Sequence, residues 1–217
     1  MRTIPIFLLL MVVMSAFHTV SDVPADPLDK RIDSLVSLMT VEEKVGQLTL
    51  YTSDWDVTGP TMRSGYKEDI KSGRVGAIFN AFTAAYTHDL QKIAVEGTRL
   101  HIPLIFGYDV IHGHRTIFPI PLGLSASWDL KAIEQSARIA ATEASAEGLH
   151  WAYGPMVDIA RDPRWGRMAE GAGEDTWLGS QIARVMVKGY QGEKIGDLNS
   201  VMASVKHFAA PASTAAL

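Results

Sequence analysis

The densest group of chemically capable side chains lies in residues 158–175. This stretch holds eight charged residues, a tryptophan and three glycines, and it follows an apolar run at residues 151–157. A long polar loop at the end of a buried strand is where an α/β protein commonly carries its function. Carboxylates accept hydrogen bonds from hydroxyl groups, guanidinium groups donate them, and an indole ring covers the apolar face of a sugar. The composition therefore indicates a polyhydroxylated ligand.

Not every charge in this loop has to meet a ligand. Asp162 could pair with Arg164 and pin the loop, because a compact loop cannot leave so many charges unpaired. Residues 165–167, Trp-Gly-Arg, form the part that we expect to contact ligand, since glycine allows a close backbone approach and Arg167 follows an aromatic residue. Glu174 and Asp175 are better explained as acids at the positive end of the next helix than as catalytic groups.

A second candidate group begins at Asp109, which ends an apolar run and is followed by Val-Ile-His-Gly-His-Arg115. Asp109 could accept hydrogen bonds from two neighbouring sugar hydroxyls while Arg115 holds its orientation, or the two could form a structural pair. His112 and His114 could be a metal pair, but a metal site needs a third ligand and usually acidic company. We therefore expect structural roles for these histidines and no metal site.

A third group, Lys206 and His207, ends another apolar run. Adjacent residues on a strand point to opposite sides, so both can reach one site only if the backbone bends there. They could then bind hydroxyls near a reacting carbon. The alternative is a solvent-facing lysine beside a packed histidine.

These groups lie on a regular alternation of strands and helices. Apolar runs predict strands at residues 75–80, 103–109, 151–158 and 201–207. Helical spacing predicts helices at residues 26–39, 41 to about 50, 86–100, 130–147 and 176–191, the second of them opened by a capping box from Thr40 to Glu43. Residues 51–65 are rich in turn formers and are predicted to be a surface loop.

Strands that alternate with helices imply right-handed βαβ units and a parallel sheet. A doubly wound open sheet concentrates its ligand contacts at one switch point, whereas a (β/α)8 barrel collects them from several strand ends. Here every predicted strand ends in a polar residue, and no Gly-x-Gly-x-x-Gly follows any of them. We therefore predict the α/β class, with about four βα units forming the N-terminal portion of an incomplete (β/α)8 TIM-type barrel.

Composition restricts the remaining possibilities. The 217 residues are 47% hydrophobic and 20% charged, which is usual for a globular protein. The net charge of -4 gives no basic footprint for nucleic acid, and the absence of cysteine removes disulfides, thiolate metal sites and a cysteine nucleophile. A basic start, an apolar run at residues 4–17 and small or polar residues at 19–25 predict a secretory signal peptide cleaved near residue 21 or 25. The run is shorter than a spanning helix needs, so we expect a periplasmic or secreted protein without membrane attachment after cleavage.

Taken together, five motifs in this order resemble glycoside hydrolase family 3, most closely its exported, periplasmic-type bacterial β-glucosidases. They are Tyr-Asp-Val-Ile-His-Gly at residues 108–113, Pro-Met-Val-Asp-Ile at 155–159, Arg-Asp-Pro-Arg-Trp-Gly-Arg at 161–167, Glu-Gly-Ala-Gly-Glu-Asp at 170–175 and Lys-His-Phe at 206–208. The resemblance implies an N-terminal barrel followed by an α/β sandwich domain, and a retaining mechanism on a β-glucoside or β-linked oligosaccharide without a cofactor. It also implies that five residues bind the sugar: Asp109, Arg115, Arg167, Lys206 and His207.

The resemblance further implies that the catalytic carboxylates lie elsewhere. In the family, the nucleophile aspartate belongs to a later barrel segment and the acid/base glutamate to the second domain, and this chain contains neither region. After residue 210 the sequence departs from the family, and residues 209–217 carry no pattern and no charge, as after a truncation or a shifted reading frame. We therefore expect residues 1–21 to be the signal peptide and residues 22–217 a partial barrel domain that does not hydrolyse substrate alone. The alternative function is that of a catalytically inert, truncated sugar-binding fragment.

Overall fold

The computed structural model describes residues 26–53 and 65–208. The chain divides into two units, residues 1–39 and residues 40–217. In the first, helix α1 spans Pro27–Leu38, as predicted. Asp26 caps it by accepting a hydrogen bond from the Leu28 N–H group at 2.9 Å, and a proline occupies the first turn, where its missing N–H group costs nothing. The predicted signal peptide lies outside the described residues.

The second unit contains a parallel sheet covered by helices. Its strands are β1 Leu50–Thr52, β2 Ala77–Phe79, β3 Ile105–Tyr108, β4 Trp151–Ala152 and β5 Met202–Ala203. Its helices are α2 Val41–Gln47, α3 Tyr66–Lys71, α4 Ala84–Gly97, α5 Pro121–Ala126, α6 Leu130–Ala146 and α7 Thr176–Gln191, and two 3-10 turns follow β4 at Pro163–Trp165 and Met168–Glu170. Among the described residues, no helix has both the length and the apolar character needed to cross a membrane.

The strands lie in the order β1-β2-β3-β4-β5, and all neighbours are parallel. Each successive strand is added to the same edge, whereas a doubly wound sheet reverses its direction at a switch point. Four crossovers join the five strands, and the sheet has one strand more than the four that were predicted. The sheet is therefore that of a partial barrel, and the predicted architecture is confirmed.

Several boundary predictions are wrong. Strand β1 occupies the start of the segment that was predicted to be a surface loop, and helix α2 ends at Gln47 instead of near residue 50. Three residues, Leu-Tyr-Thr, are too short to show an alternating pattern, and only their pairing with β2 makes them a strand. Strand β4 also stops earlier than predicted, before Pro155, whose nitrogen cannot donate to a ladder.

The two faces of the sheet are built differently. Ile78, Phe106 and Ala152 are fully buried in the apolar core, together with side chains of α4, α6 and α7. Residues on the opposite face include Gly107, which is in register with both Phe79 and Trp151. An aromatic layer covers this face, with the Tyr153 ring 4.7 Å from Trp151 and 5.3 Å from Phe79 between centroids. Glycine at position 107 leaves room for this ring, because an added Cβ would collide with the Tyr153 hydroxyl group.

Candidate functional site

A cluster of charged side chains lies at the carboxyl ends of β3, β4 and β5. Asp109 directly follows β3, and Lys206 follows β5 by three residues. The Lys206 Nζ donates a hydrogen bond to Asp109 Oδ1 at 2.6 Å, which links the ends of two strands that flank β4. The carboxyl ends of parallel strands meet at one edge of the sheet, where barrel enzymes carry their sites.

The backbone after β4 and β5 runs side by side and holds Lys206 in place. Its N–H group donates to the Pro155 carbonyl at 3.0 Å, and its own carbonyl accepts from the Val157 N–H group at 2.8 Å. The peptide bond between Lys206 and His207 is cis. Both side chains lie in the same cluster, which is the arrangement that a shared site requires.

His207 connects this cluster to the polar loop after β4. Its Nδ1 lies 2.7 Å from Asp158 Oδ2, and its Nε2 lies 3.3 Å from Arg167 Nη1. Arg167 in turn makes a two-pronged ion pair with Glu170, in which Nε and Nη2 each donate to one carboxylate oxygen at 2.7 Å. Four of the five predicted sugar-binding residues, all but Arg115, are thus brought together.

Hydrogen bonding and burial shift the pKa values of three groups in and beside the cluster, Glu170, Arg167 and Tyr153. The hydrogen bonds from Arg167 lower the pKa of Glu170, and the same bonds raise the pKa of Arg167, which also feels the charges of Asp158 and Asp109. Burial raises the pKa of Tyr153, and the negative charge of Asp109 raises it further, so this tyrosine stays a neutral phenol. Glu170 is therefore an ionised carboxylate and has no proton to donate as a general acid would.

Arg115 has a different partner from the predicted one. Its guanidinium group contacts Glu147, and its side chain is 69% exposed. Glu147 also accepts hydrogen bonds from His114 Nε2 at 2.8 Å and from the Thr83 N–H group at 3.2 Å. Asp109 is held by Lys206 instead, so the structure corrects the expectation that Arg115 orients Asp109.

Glu147 and its neighbour Glu143 are residues that the sequence analysis missed. Burial opposes ionisation of Glu147, but the hydrogen bonds that it accepts more than offset this, and its pKa is lowered. Glu143 accepts from the backbone N–H groups of Arg115 and Thr116, each at 2.8 Å. The available signal was their i, i+4 spacing on a helix that is otherwise rich in alanine, which places both carboxylates on one face.

Two predicted pairings of acidic side chains in these loops are confirmed. Arg164 pairs with Asp162 through its Nε, at 2.9 Å from Oδ2, and Asp175 caps α7 by accepting from the Leu178 N–H group at 2.6 Å. His112 Nδ1 lies 2.9 Å from the Phe118 carbonyl oxygen, so it and His114 have separate partners. In the described parts of the chain, no three His, Cys, Asp or Glu side chains are grouped as metal ligands.

Comparison with known proteins decides the family. The sequence model of the glycosyl hydrolase family 3 N-terminal domain matches residues 40–217. The chain belongs to glycosyl hydrolase family 3. The family 3 N-terminal domain is a TIM-barrel-like α/β fold, which agrees with the parallel sheet described above.

Three known proteins are among those that this chain resembles in sequence or structure. It is 48% identical to a periplasmic beta-glucosidase of Salmonella typhimurium over 84% of this chain and 23% of that protein. It is 30% identical to a putative beta-xylosidase of Formosa agariphila over 84% of this chain and 26% of that protein. The crystal structure of a beta-glucosidase from Listeria innocua with isofagomine superposes with a TM-score of 0.74 at 37% identity, over 82% of this chain and 25% of that one. The chain therefore spans about a quarter of the length of these relatives.

Proposed function

We propose that this chain forms the sugar-binding part of a retaining β-glucosidase active site that receives a terminal β-D-glucosyl residue. The observation that carries the proposal is the joining of three strand ends by two contacts, Lys206 with Asp109 and His207 with Arg167. The names of the Salmonella and Listeria relatives, both beta-glucosidases, support the choice of sugar.

The chemistry of the cluster suits a sugar ring. Each sugar hydroxyl is both a donor and an acceptor, so a matching site offers acceptors and donors at neighbouring positions. The Asp109 carboxylate accepts, and the Lys206 ammonium and Arg167 guanidinium donate. Charge-assisted hydrogen bonds of this kind are stronger than those between neutral groups. We propose that Asp109, Arg167, Lys206 and His207 are the core of the subsite and that Arg115 contributes from the neighbouring loop.

The carboxylates of the cluster brace this site and do not cleave the bond. A retaining mechanism needs a nucleophilic carboxylate and a second carboxyl group with a raised pKa that protonates the leaving oxygen. Asp109, Asp158 and Glu170 are each engaged with a basic partner, and the pKa of Glu170 is lowered. We therefore propose that the nucleophile and the acid/base are supplied by a part of the full-length enzyme outside this chain.

We also propose export. Residues 1–21 have the composition of a signal peptide, and one relative carries a periplasmic name. Residues 22–217 would then be the exported segment, in the periplasm or outside the cell.

An aryl β-D-glucoside assay tests whether this chain binds the sugar without cleaving the glycosidic bond. The purified chain should release no more phenol than buffer does, while glucose binding persists and is weakened by Asp109→Ala. Turnover by the wild-type chain that Asp109→Ala abolishes would overturn the proposal, because it would place a complete catalytic apparatus in this chain.

A further inference from the structure

Asp158 contacts His207 and is much more deeply buried than it. Its side chain is only 4% exposed, whereas that of His207 is 34% exposed. A carboxylate this deeply buried needs a specific partner. Its Oδ2 has one in His207 Nδ1, at 2.7 Å.

The two ring nitrogens of His207 have partners of opposite character. Nε2 lies 3.3 Å from Arg167 Nη1, and a guanidinium nitrogen can only donate. Nε2 must then present its lone pair. The single proton of a neutral imidazole is left on Nδ1, where an ionised carboxylate accepts it. Both contacts thus require the same tautomer.

We infer that Asp158 is a positioning residue that fixes His207 in the Nδ1–H tautomer. The single lone pair of Nε2 faces Arg167 Nη1 in the free chain, and it accepts a hydrogen bond from a sugar hydroxyl when the sugar displaces that contact. The inference rests on the proposed sugar-binding function. The subsite then holds two acceptors, Asp109 and His207 Nε2, and two cationic donors, Lys206 and Arg167. Two neighbouring hydroxyls can each donate to one acceptor and accept from one donor. An Nε2–H tautomer would leave three donors and one acceptor, and one hydroxyl proton would lose its partner.

Nuclear magnetic resonance of the full 15N-labelled chain tests the assignment before any sugar is added. Long-range 1H–15N correlations distinguish protonated from unprotonated ring nitrogens, and the His207 signals are identified by their loss in His207→Gln. We expect a protonated Nδ1 and an unprotonated Nε2 at pH 7.5. An Nε2–H tautomer or a doubly protonated ring in the wild-type chain would overturn the inference.

Asp158→Asn tests the positioning role. An asparagine amide can donate to Nδ1, and this exchange beside a histidine traps the wrong tautomer in serine proteases. We expect the proton to move to Nε2 and glucose affinity to fall about 10-fold, the effect of one hydrogen bond. Asp162→Asn is the matched control, since Asp162 lies in the same loop and pairs with Arg164. It should change neither measurement.

Two outcomes separate the inference from the function on which it rests. If Asp158→Asn keeps both the wild-type tautomer and the wild-type affinity, the positioning role is refuted. If the wild-type chain shows the expected tautomer but no response to glucose, the proton assignment holds and the proposed function fails. The wild-type spectrum decides the tautomer even if Asp158→Asn does not fold.

Discussion

Glu147 offers the sharpest test of how the loop after β3 is held. Its carboxylate is 7% exposed, and its partner His114 is 6% exposed, so the pair is buried. The same carboxylate also contacts Arg115 and the Thr83 N–H group. Glu147→Gln keeps the size of the side chain but removes the charge and one acceptor oxygen.

The expected cost follows from this burial. Glu147 accepts from three donors, and a buried donor that loses its acceptor costs about 1–3 kcal/mol. Glutamine retains one acceptor oxygen, and Arg115 can turn to water, so we expect the loss of about one such contact, about 2–3 kcal/mol of the free energy of unfolding. The loop that carries His114 and Arg115 should loosen with it.

Glu134→Gln on the same helix is the matched control. Glu134 pairs with Lys188 at 2.9 Å, but the lysine side chain is 61% exposed and the glutamate side chain 33%. Exposed pairs contribute about 0–1 kcal/mol. Urea unfolding followed by circular dichroism measures both variants against the wild-type chain. Equal losses of stability in the two variants would refute the claim that the Glu147 cluster is a buried anchor.

Two further predictions concern acid and packing. The folded-state pKa of Glu170 is lower than that of an unfolded glutamate, because Arg167 donates hydrogen bonds to it. The ionised carboxylate therefore adds to the free energy of unfolding at neutral pH, and this stabilisation is lost as the pH falls below about 4.3. The urea midpoint should therefore fall more steeply from pH 5 to 3 in the wild-type chain than in Glu170→Gln, and parallel curves would count against the ion pair. In helix α7, Gly189→Ala should cost about 1–3 kcal/mol, since the new Cβ would lie 2.5 Å from the Glu134 carbonyl oxygen. Gly179→Ala, which meets open space, should gain up to about 1 kcal/mol, and thermal unfolding that ranks the two variants the other way would contradict this packing.

Much of the architecture was predictable because apolar runs mark buried strands. The predicted strands at residues 75–80, 103–109, 151–158 and 201–207 all contain an observed strand. The predicted strands are longer than the observed ones, because the apolar run continues past the last residue that pairs with a neighbouring strand, as it does at Pro155. Strand β1 was missed because its three residues are strands only through pairing with β2.

The sequence predicted the site residues that lie at strand ends. It did not predict contacts between side chains that are far apart in the sequence. Asp109, Lys206 and His207 end apolar runs, and parallel strands bring such ends to one edge. The partner of Arg115 could not be read from the sequence, since Glu147 is 32 positions further along the chain, beyond α5 and at the C-terminal end of α6. Only the packing of α6 brings that carboxylate to the loop.

Binding of a single sugar ring tests the central claim most directly. Glucose titration of the 15N-labelled chain should give saturable shifts at Asp109 and Lys206, with a Kd on the order of 1–10 mM for a ligand of this size. Lys206→Met removes a side chain that is 16% exposed and paired with Asp109, and it should weaken binding at least about 10-fold. Lys92→Met, at an exposed lysine of α4, should leave binding unchanged. Shifts that do not saturate, or equal weakening by both variants, would contradict the assignment of this cluster as a sugar subsite.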